Sequence, residues 1–108
     1  MTRRDVTYQE TAPDLATVEA MQGLVLLDFG TDWCGHCNAA RAAVDAWIDA
    51  HPAIDHLRVE DGRGRALGRA YKVKLWPTLV LLRDGREIAR TVRPREEREL
   101  WPLTEAVR

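Results

Sequence analysis

The chain has two cysteines, Cys34 and Cys37, set three positions apart in the stretch DFGTDWCGHCNAAR, Asp28 to Arg41. The run that follows is rich in alanine, carries Ala40, Val44, Trp47 and Ile48 at helical spacing, and meets Pro52. This pattern predicts a helix from Cys34 to about His51. At the head of such a helix, the Cys34 sulfur faces unpaired backbone N–H groups and the positive end of the dipole, both of which favour thiolate over thiol. Cys34 is therefore the expected nucleophile. Cys37, one turn deeper, is the expected resolving thiol, placed to attack a mixed disulfide at Cys34 and release the reduced partner.

Three other uses of the pair are weaker. A bridge kept for stability would close only the short Cys34-to-Cys37 ring and remove about 2 kcal/mol of unfolded-chain entropy, against about 3 for a 15-residue loop. A structural zinc site needs four ligands; His36, His51 and His56 are the only imidazoles, and there is no second cysteine pair. Covalent haem attachment needs histidine directly after the second cysteine, where Asn38 stands.

The elements that must position the pair are legible as patterns. Asp14 reads as the N-cap of a short helix running to about Met21 and ended by Gly23. LVLLDF, Leu24 to Phe29, is an unbroken apolar run suited to a strand buried on both faces, with Asp28 inside it. His56 to Glu60 is a second strand candidate, DGRGR a loop, and Ala66 to Val73 a short helix. Pro77 to Val92 forms two extended runs joined by Asp84-Gly85, a strong hairpin signal. A last helix is expected from near Pro94, with Glu96, Glu97 and Glu99 at its positive end and Pro102 kinking or splitting it. The order predicts an α/β fold, a mixed sheet with helices on both faces, whose first two strands run parallel and place the cysteines at their carboxyl edge.

At 108 residues the chain is expected to be one domain, with residues 1–13 less ordered. Such a length buries roughly 65% of the unfolded surface, so folding requires no staple. A net charge of -1 gives no general attraction to nucleic acid or lipid. No run approaches a membrane span and the N-terminus lacks a signal-peptide core, so the expectation is a soluble, cytoplasmic monomer.

LVLLDFGTDWCGHC, with LWPTLVLLRDG downstream, resembles the thioredoxin family in order and spacing from about Leu24 to Val92. The resemblance implies a thioredoxin fold and exchange of a dithiol for a disulfide with protein substrates, contributing to cell redox homeostasis. It also implies an unidentified reductase as partner and no cofactor beyond the Cys34–Cys37 pair. By the same resemblance, Trp33 packs beside the active site, and Pro77 is a cis-proline facing the cysteines that leaves the backbone of Trp76 free to bind a substrate strand. The Trp76 ring would then either anchor a partner's side chain or cap the core. Asp28 matches the family's buried acid, able to take or supply the Cys37 proton, and Arg58 falls where a lysine often pairs with it. A solvated arginine on an edge strand is the alternative for Arg58.

His36 departs from the commonest pattern, which has proline there; CGHC is similar to protein disulfide isomerase. A protonated imidazole between the sulfurs favours the reduced form, so the pair is expected to be more oxidising than in ordinary thioredoxins. Gly30 replaces an aromatic, Ala42 a helix-kinking proline, and Arg93 a glycine bordering the substrate groove. With Lys74 and Arg63, Arg93 is expected to give an electropositive rim that either selects acidic partners or is simply solvated. A binding or chaperone module with little exchange activity, and metal handling, are the readings from other classes.

Overall fold

The apolar run beginning at Leu24 lies between two other strands, which is why it is hydrophobic on both faces. In the computed structural model, which describes residues 7–108, strand β1 (Leu24–Gly30) pairs in parallel with β2 (Asp55–Glu60) and antiparallel with β3 (Thr78–Arg83). β3 pairs antiparallel with β4 (Arg86–Val92), giving the order β2-β1-β3-β4.

Strand alternation divides β1 between two cores. Val25, Leu27 and Phe29 face helices α1 (Leu15–Glu19) and α3 (Ala66–Ala70), packing with Val18, Val59, Leu67, Val80 and Leu82. Leu26 faces the other side, onto α2 (Gly35–Ala50) and α4 (Trp101–Ala106), among Val44, Trp47, Ile48, Leu79, Leu81 and Leu103. Asp28 and Gly30 share the parity of Leu26, so the sheet aims both toward the first turn of α2.

Local signals place most boundaries. Asp14 caps α1 by accepting the Thr17 N–H at 2.8 Å. α2 runs without interruption past Ala42, whose small side chain leaves every backbone donor in place. α1 and α3 end earlier than their sequence patterns suggest, at Glu19 and Ala70. Tyr8 and Gln9, expected in a less ordered lead-in, instead join the edge of β2. Gln9 N–H donates to Arg58 O and Glu60 N–H to Gln9 O, both at 3.0 Å. Residues 1–6 of that lead-in lie outside the described residues. No helix among the described residues is long and apolar enough to cross a membrane.

The C-terminal segment corrects the reading of one helix from Pro94. Arg93 adopts a left-handed φ of 52°, and Glu96 caps a 3-10 turn, Glu97–Leu100, through a reciprocal capping box with Glu99. The α-helix begins only at Trp101, and Pro102 occupies its first positions, where a missing N–H leaves no bond unmade. Pro102 thus divides the segment by starting α4 rather than by kinking it.

The β3-β4 turn uses Asp84 and Gly85 at φ of 51° and 81°, the paired left-handed geometry of a tight hairpin. Asp84 also holds the loop before β1, accepting the Gly23 N–H at 2.8 Å and donating its own N–H to Gly23 O at 3.0 Å. A Cβ at Gly85 would run into the Glu19 carbonyl, whereas one at Gly23, at a similar φ of 78°, meets nothing within 4 Å. Gly23→Ala therefore isolates the backbone term, about 1 kcal/mol, and Gly85→Ala should lose at least about 2 kcal/mol because a clash is added. Urea unfolding of both variants checks this, and equal losses would contradict the clash.

Candidate active site

Cys34 is the N-cap of α2. Its extended backbone (φ -78°, ψ 123°) turns its sulfur over the helix end, where Sγ accepts the Cys37 N–H at 3.3 Å. The sulfur thus substitutes for the usual oxygen of a cap and satisfies a donor the helix cannot pair. Cys34 and Cys37 are unbonded thiols, 8% and 4% exposed, with Cys37 the deeper. His36 is exposed on the same first turn.

Cys37 sits against Gly30, Thr31 and Tyr8. A Cβ at Gly30 would collide with Cys37 Sγ and lie 2.9 Å from the Tyr8 hydroxyl. Glycine at this position is therefore what admits Tyr8 beside the sulfur. The Tyr8 hydroxyl donates to Asp28 Oδ1 at 2.8 Å, and Tyr8 packs against Cys37. Burial, then the charge of Asp28, holds the phenol well above its ordinary range.

Asp28 is 2% exposed and is shared by three side chains. Besides Tyr8, His56 Nε2 lies 3.1 Å and Arg58 Nε 3.2 Å from Oδ2. Arg58, itself 2% exposed, reaches onward to donate from Nη2 to Asp45 Oδ1 of α2 at 2.9 Å. Burial pulls the guanidinium pKa down, but the charges and hydrogen bond of Asp28 and Asp45 carry it above its ordinary value. The solvated-arginine alternative is thereby excluded. β1 and β2 pair Asp28 with Arg58 directly, and the alternation of β2 puts His56 on the same face.

Tyr8, His56 and Asp45 were not among the residues read from sequence. Asp45 carried a usable signal, since it lies eight positions after Cys37 and so returns to the same helix face. His56 carried another, its parity with Arg58. Tyr8 carried none. Among the described residues His56 Nδ1 and Thr31 Oγ1 are buried without a hydrogen bond.

The rim is aromatic. Trp33 is 76% exposed and meets Trp76 edge to face, with centroids 5.8 Å apart. Trp76 packs against Tyr8, Cys34 and Cys37, and its indole N–H donates to Asp61 Oδ2 at 2.9 Å. The Trp76–Pro77 bond is cis. The backbone of Trp76 is not wholly free, as the resemblance had implied: Arg93 Nε donates to the Trp76 carbonyl at 2.7 Å, while Arg93 N–H donates to Pro77 O at 2.9 Å. Arg63 and Lys74 are exposed on neighbouring loops.

Burial, followed by the neighbouring Cys34, pushes the Cys37 thiol from 9.0 up to about 12, against the opposing effect of the Thr31 N–H and Tyr8 hydroxyl. The folded chain therefore keeps a proton that the unfolded chain releases above pH 9. Stability present below that pH declines as pH rises toward 12, and Tyr8 adds to the decline above its ordinary value of 10.0. The urea midpoint of the reduced protein should fall between pH 9 and about pH 11, and fall less in Cys37→Ala. Parallel curves would remove Cys37 from this account.

Residues 7–105 match the family model described as Thioredoxin. Thioredoxin from Chlamydia trachomatis is 33% identical over 75% of this chain and 79% of its own. Thioredoxin-1 from Saccharomyces cerevisiae is 28% identical over 81% of this chain and 84% of its own. The reduced form of thioredoxin 2 from Pseudomonas aeruginosa superposes with a TM-score of 0.85, at 47% identity and 95% coverage of both chains. With Cys34 capping α2, Trp76 of a cis Trp76–Pro77 bond packed on the cysteine pair, and these similarities, the chain belongs to the thioredoxin family of thiol-disulfide oxidoreductases.

Proposed function

We propose that this chain reduces disulfides in extended protein segments, and that it does so at a potential less negative than that of ordinary thioredoxins. The observation that carries the reading is Cys34 Sγ seated on the Cys37 N–H at the head of a 16-residue helix. That N–H and the helix end hold the negative charge that sulfur carries as an attacking or departing group. Cys34 attacks one sulfur of the partner's disulfide, the other sulfur leaves with the bonding pair, and a mixed disulfide forms. Cys37 then loses its proton and attacks Cys34, so that two electrons have passed to the partner and the chain holds a Cys34–Cys37 disulfide. Asp28 receives the Cys37 proton. A reductase restores the dithiol, and no further cofactor takes part.

Trp33 and the half-buried Trp76 offer the partner an apolar ledge beside Cys34, with Pro77 buried behind them. With one lone pair of its carbonyl taken by Arg93, Trp76 keeps its N–H and a reduced acceptor for a partner strand, and Arg93, Arg63 and Lys74 supply positive charge around it. Acidic partners fit this edge. The same Arg93 contact favours the second reading, a binding module whose groove admits a chain without exchanging bonds. Insulin reduction by dithiothreitol, followed by turbidity, separates the two. The wild-type chain should accelerate it and Cys34→Ser should not; an inert wild type would leave only the binding module.

His36 adds a cation beside Cys34 whenever it is protonated, and this stabilises the reduced pair. Thioredoxins lie near about -270 mV and protein disulfide isomerase near about -180 mV, and equilibration with glutathione should place this chain between them. His36→Pro should move it toward the lower value. A wild-type potential at or below about -270 mV would remove His36 from the account.

A further inference from the structure

We propose that Tyr8 is a catalytic residue whose hydroxyl relays the Cys37 proton to Asp28 as the mixed disulfide is resolved. The proposal rests on the assignment of Cys34 as attacker and Cys37 as resolver.

Tyr8 lies between the two groups that must exchange a proton. Its hydroxyl donates to Asp28 Oδ1 at 2.8 Å, and the same hydroxyl and the Cys37 sulfur both border the space that a Cβ at Gly30 would fill. The ring is 7% exposed and belongs to the same packed cluster as Cys34 and Cys37. Its position is over-determined. Tyr8 N–H donates to Asp32 Oδ1 at 3.2 Å, the adjacent Gln9 is bonded to Arg58 and Glu60 along the free edge of β2, and the Arg58 guanidinium lies 6.0 Å from the ring centroid. Any side chain at Gly30 would intrude on both the hydroxyl and the sulfur. A phenol kept merely to fill a core needs one hydrogen-bond partner. This one holds a proton acceptor, Asp28, and packs against a thiol that must lose a proton.

The step balances as follows. Before it, the partner's sulfur is joined to Cys34 Sγ, Cys37 is a thiol and Asp28 a carboxylate. The Cys37 proton passes to the Tyr8 oxygen while the hydroxyl's own proton passes to Asp28 Oδ1. The electron pair left on Cys37 forms the Cys34–Cys37 bond, and the bond from Cys34 to the partner breaks with its pair on the departing thiolate. Tyr8 ends as the neutral phenol it began as, Asp28 ends protonated, and the proton later neutralises the released thiolate through solvent. Burial keeps Tyr8 far from ionisation near neutrality, so the two protons move together rather than through a phenolate. The ionisable groups facing this path are Cys34 and Asp45 of α2, Asp28 of β1, His56 and Arg58 of β2, and Asp32 of the intervening loop.

Stopped-flow mixing of the reduced protein with 5,5′-dithiobis(2-nitrobenzoate) separates two releases of thionitrobenzoate, the first from attack by Cys34 and the second from resolution by Cys37. In Tyr8→Phe the second phase should slow about tenfold or more at neutral pH and shift its pH profile upward. In mixtures of light and heavy water the wild-type second phase should give a bowed proton inventory, reporting two protons in flight. A second phase in Tyr8→Phe with unchanged rate and pH profile overturns the relay, as does a straight inventory in the wild type. If Tyr8→Phe fails to fold, the wild-type inventory decides alone, bowed in favour and straight against. A wild type with no first phase removes the assignment of Cys34 itself, and the relay with it.

Discussion

Everything around the cysteines is arranged to keep one carboxylate, Asp28, inside the protein. An unpaired carboxylate in such a place costs more than a domain of this size can spare, so the fold must bring it partners. The parallel register of β1 and β2 brings Arg58 and His56, the N-terminal segment on the edge of β2 brings Tyr8, and α2 answers Arg58 with Asp45. Removing a single partner from a buried pair of this kind typically costs about 3–5 kcal/mol, yet a well-packed apolar replacement of the whole set is often neutral. The network is therefore poorly explained by stability. It is well explained by the thiol above it, which must give up a proton in a place water barely reaches.

Three of the departures from the common family pattern, at Gly30, Arg58 and Arg93, are each matched by a second residue. Gly30 in place of an aromatic frees the volume that Tyr8 fills. Arginine in place of lysine at Arg58 makes sense with Asp45 present, because one planar fork donates from Nε to one carboxylate and from Nη2 to another, which a single ammonium does not reproduce. Arginine in place of glycine at Arg93 is matched by the Trp76 carbonyl that receives it. Each looks like an isolated oddity along the chain and becomes a two-residue solution in space.

That difference explains what could be read in advance. Periodicity, caps and the Asp84-Gly85 turn are local, so the strands, α2 and the hairpin were legible, and with them the shared edge that carries Cys34 and Cys37. Asp28 and Pro77 were legible through the family resemblance, and Arg58 through the same resemblance with a solvated edge-strand arginine as its alternative. Tyr8 reaches Asp28 across 20 positions, through pairing at the edge of β2 that no short pattern announces, whereas His56 reaches it across 28 through the β1-β2 register, which its parity with Arg58 reflects. The C-terminal helix was misplaced because the rule that proline opens helices was applied to Pro94. The chain obeys it at Pro102, since a left-handed Arg93 and the Glu96 capping box keep the intervening residues out of the helix.

Arg93 shows where such pairing leads. A non-glycine residue at a φ of 52° is strained by about 1 kcal/mol, and a buried-edge hydrogen bond such as the one from Nε to the Trp76 carbonyl returns about the same. The substitution is thus close to neutral for folding, and its consequence falls almost entirely on what docks beside Cys34. On the function proposed above, a partner strand would meet a Trp76 carbonyl already bonded once and one fixed cation more, while the Pro77 carbonyl accepts the N–H of the same arginine. Recognition at this edge would then lean less on main-chain pairing and more on charge and on the exposed face of Trp33, without touching the chemistry of the sulfurs.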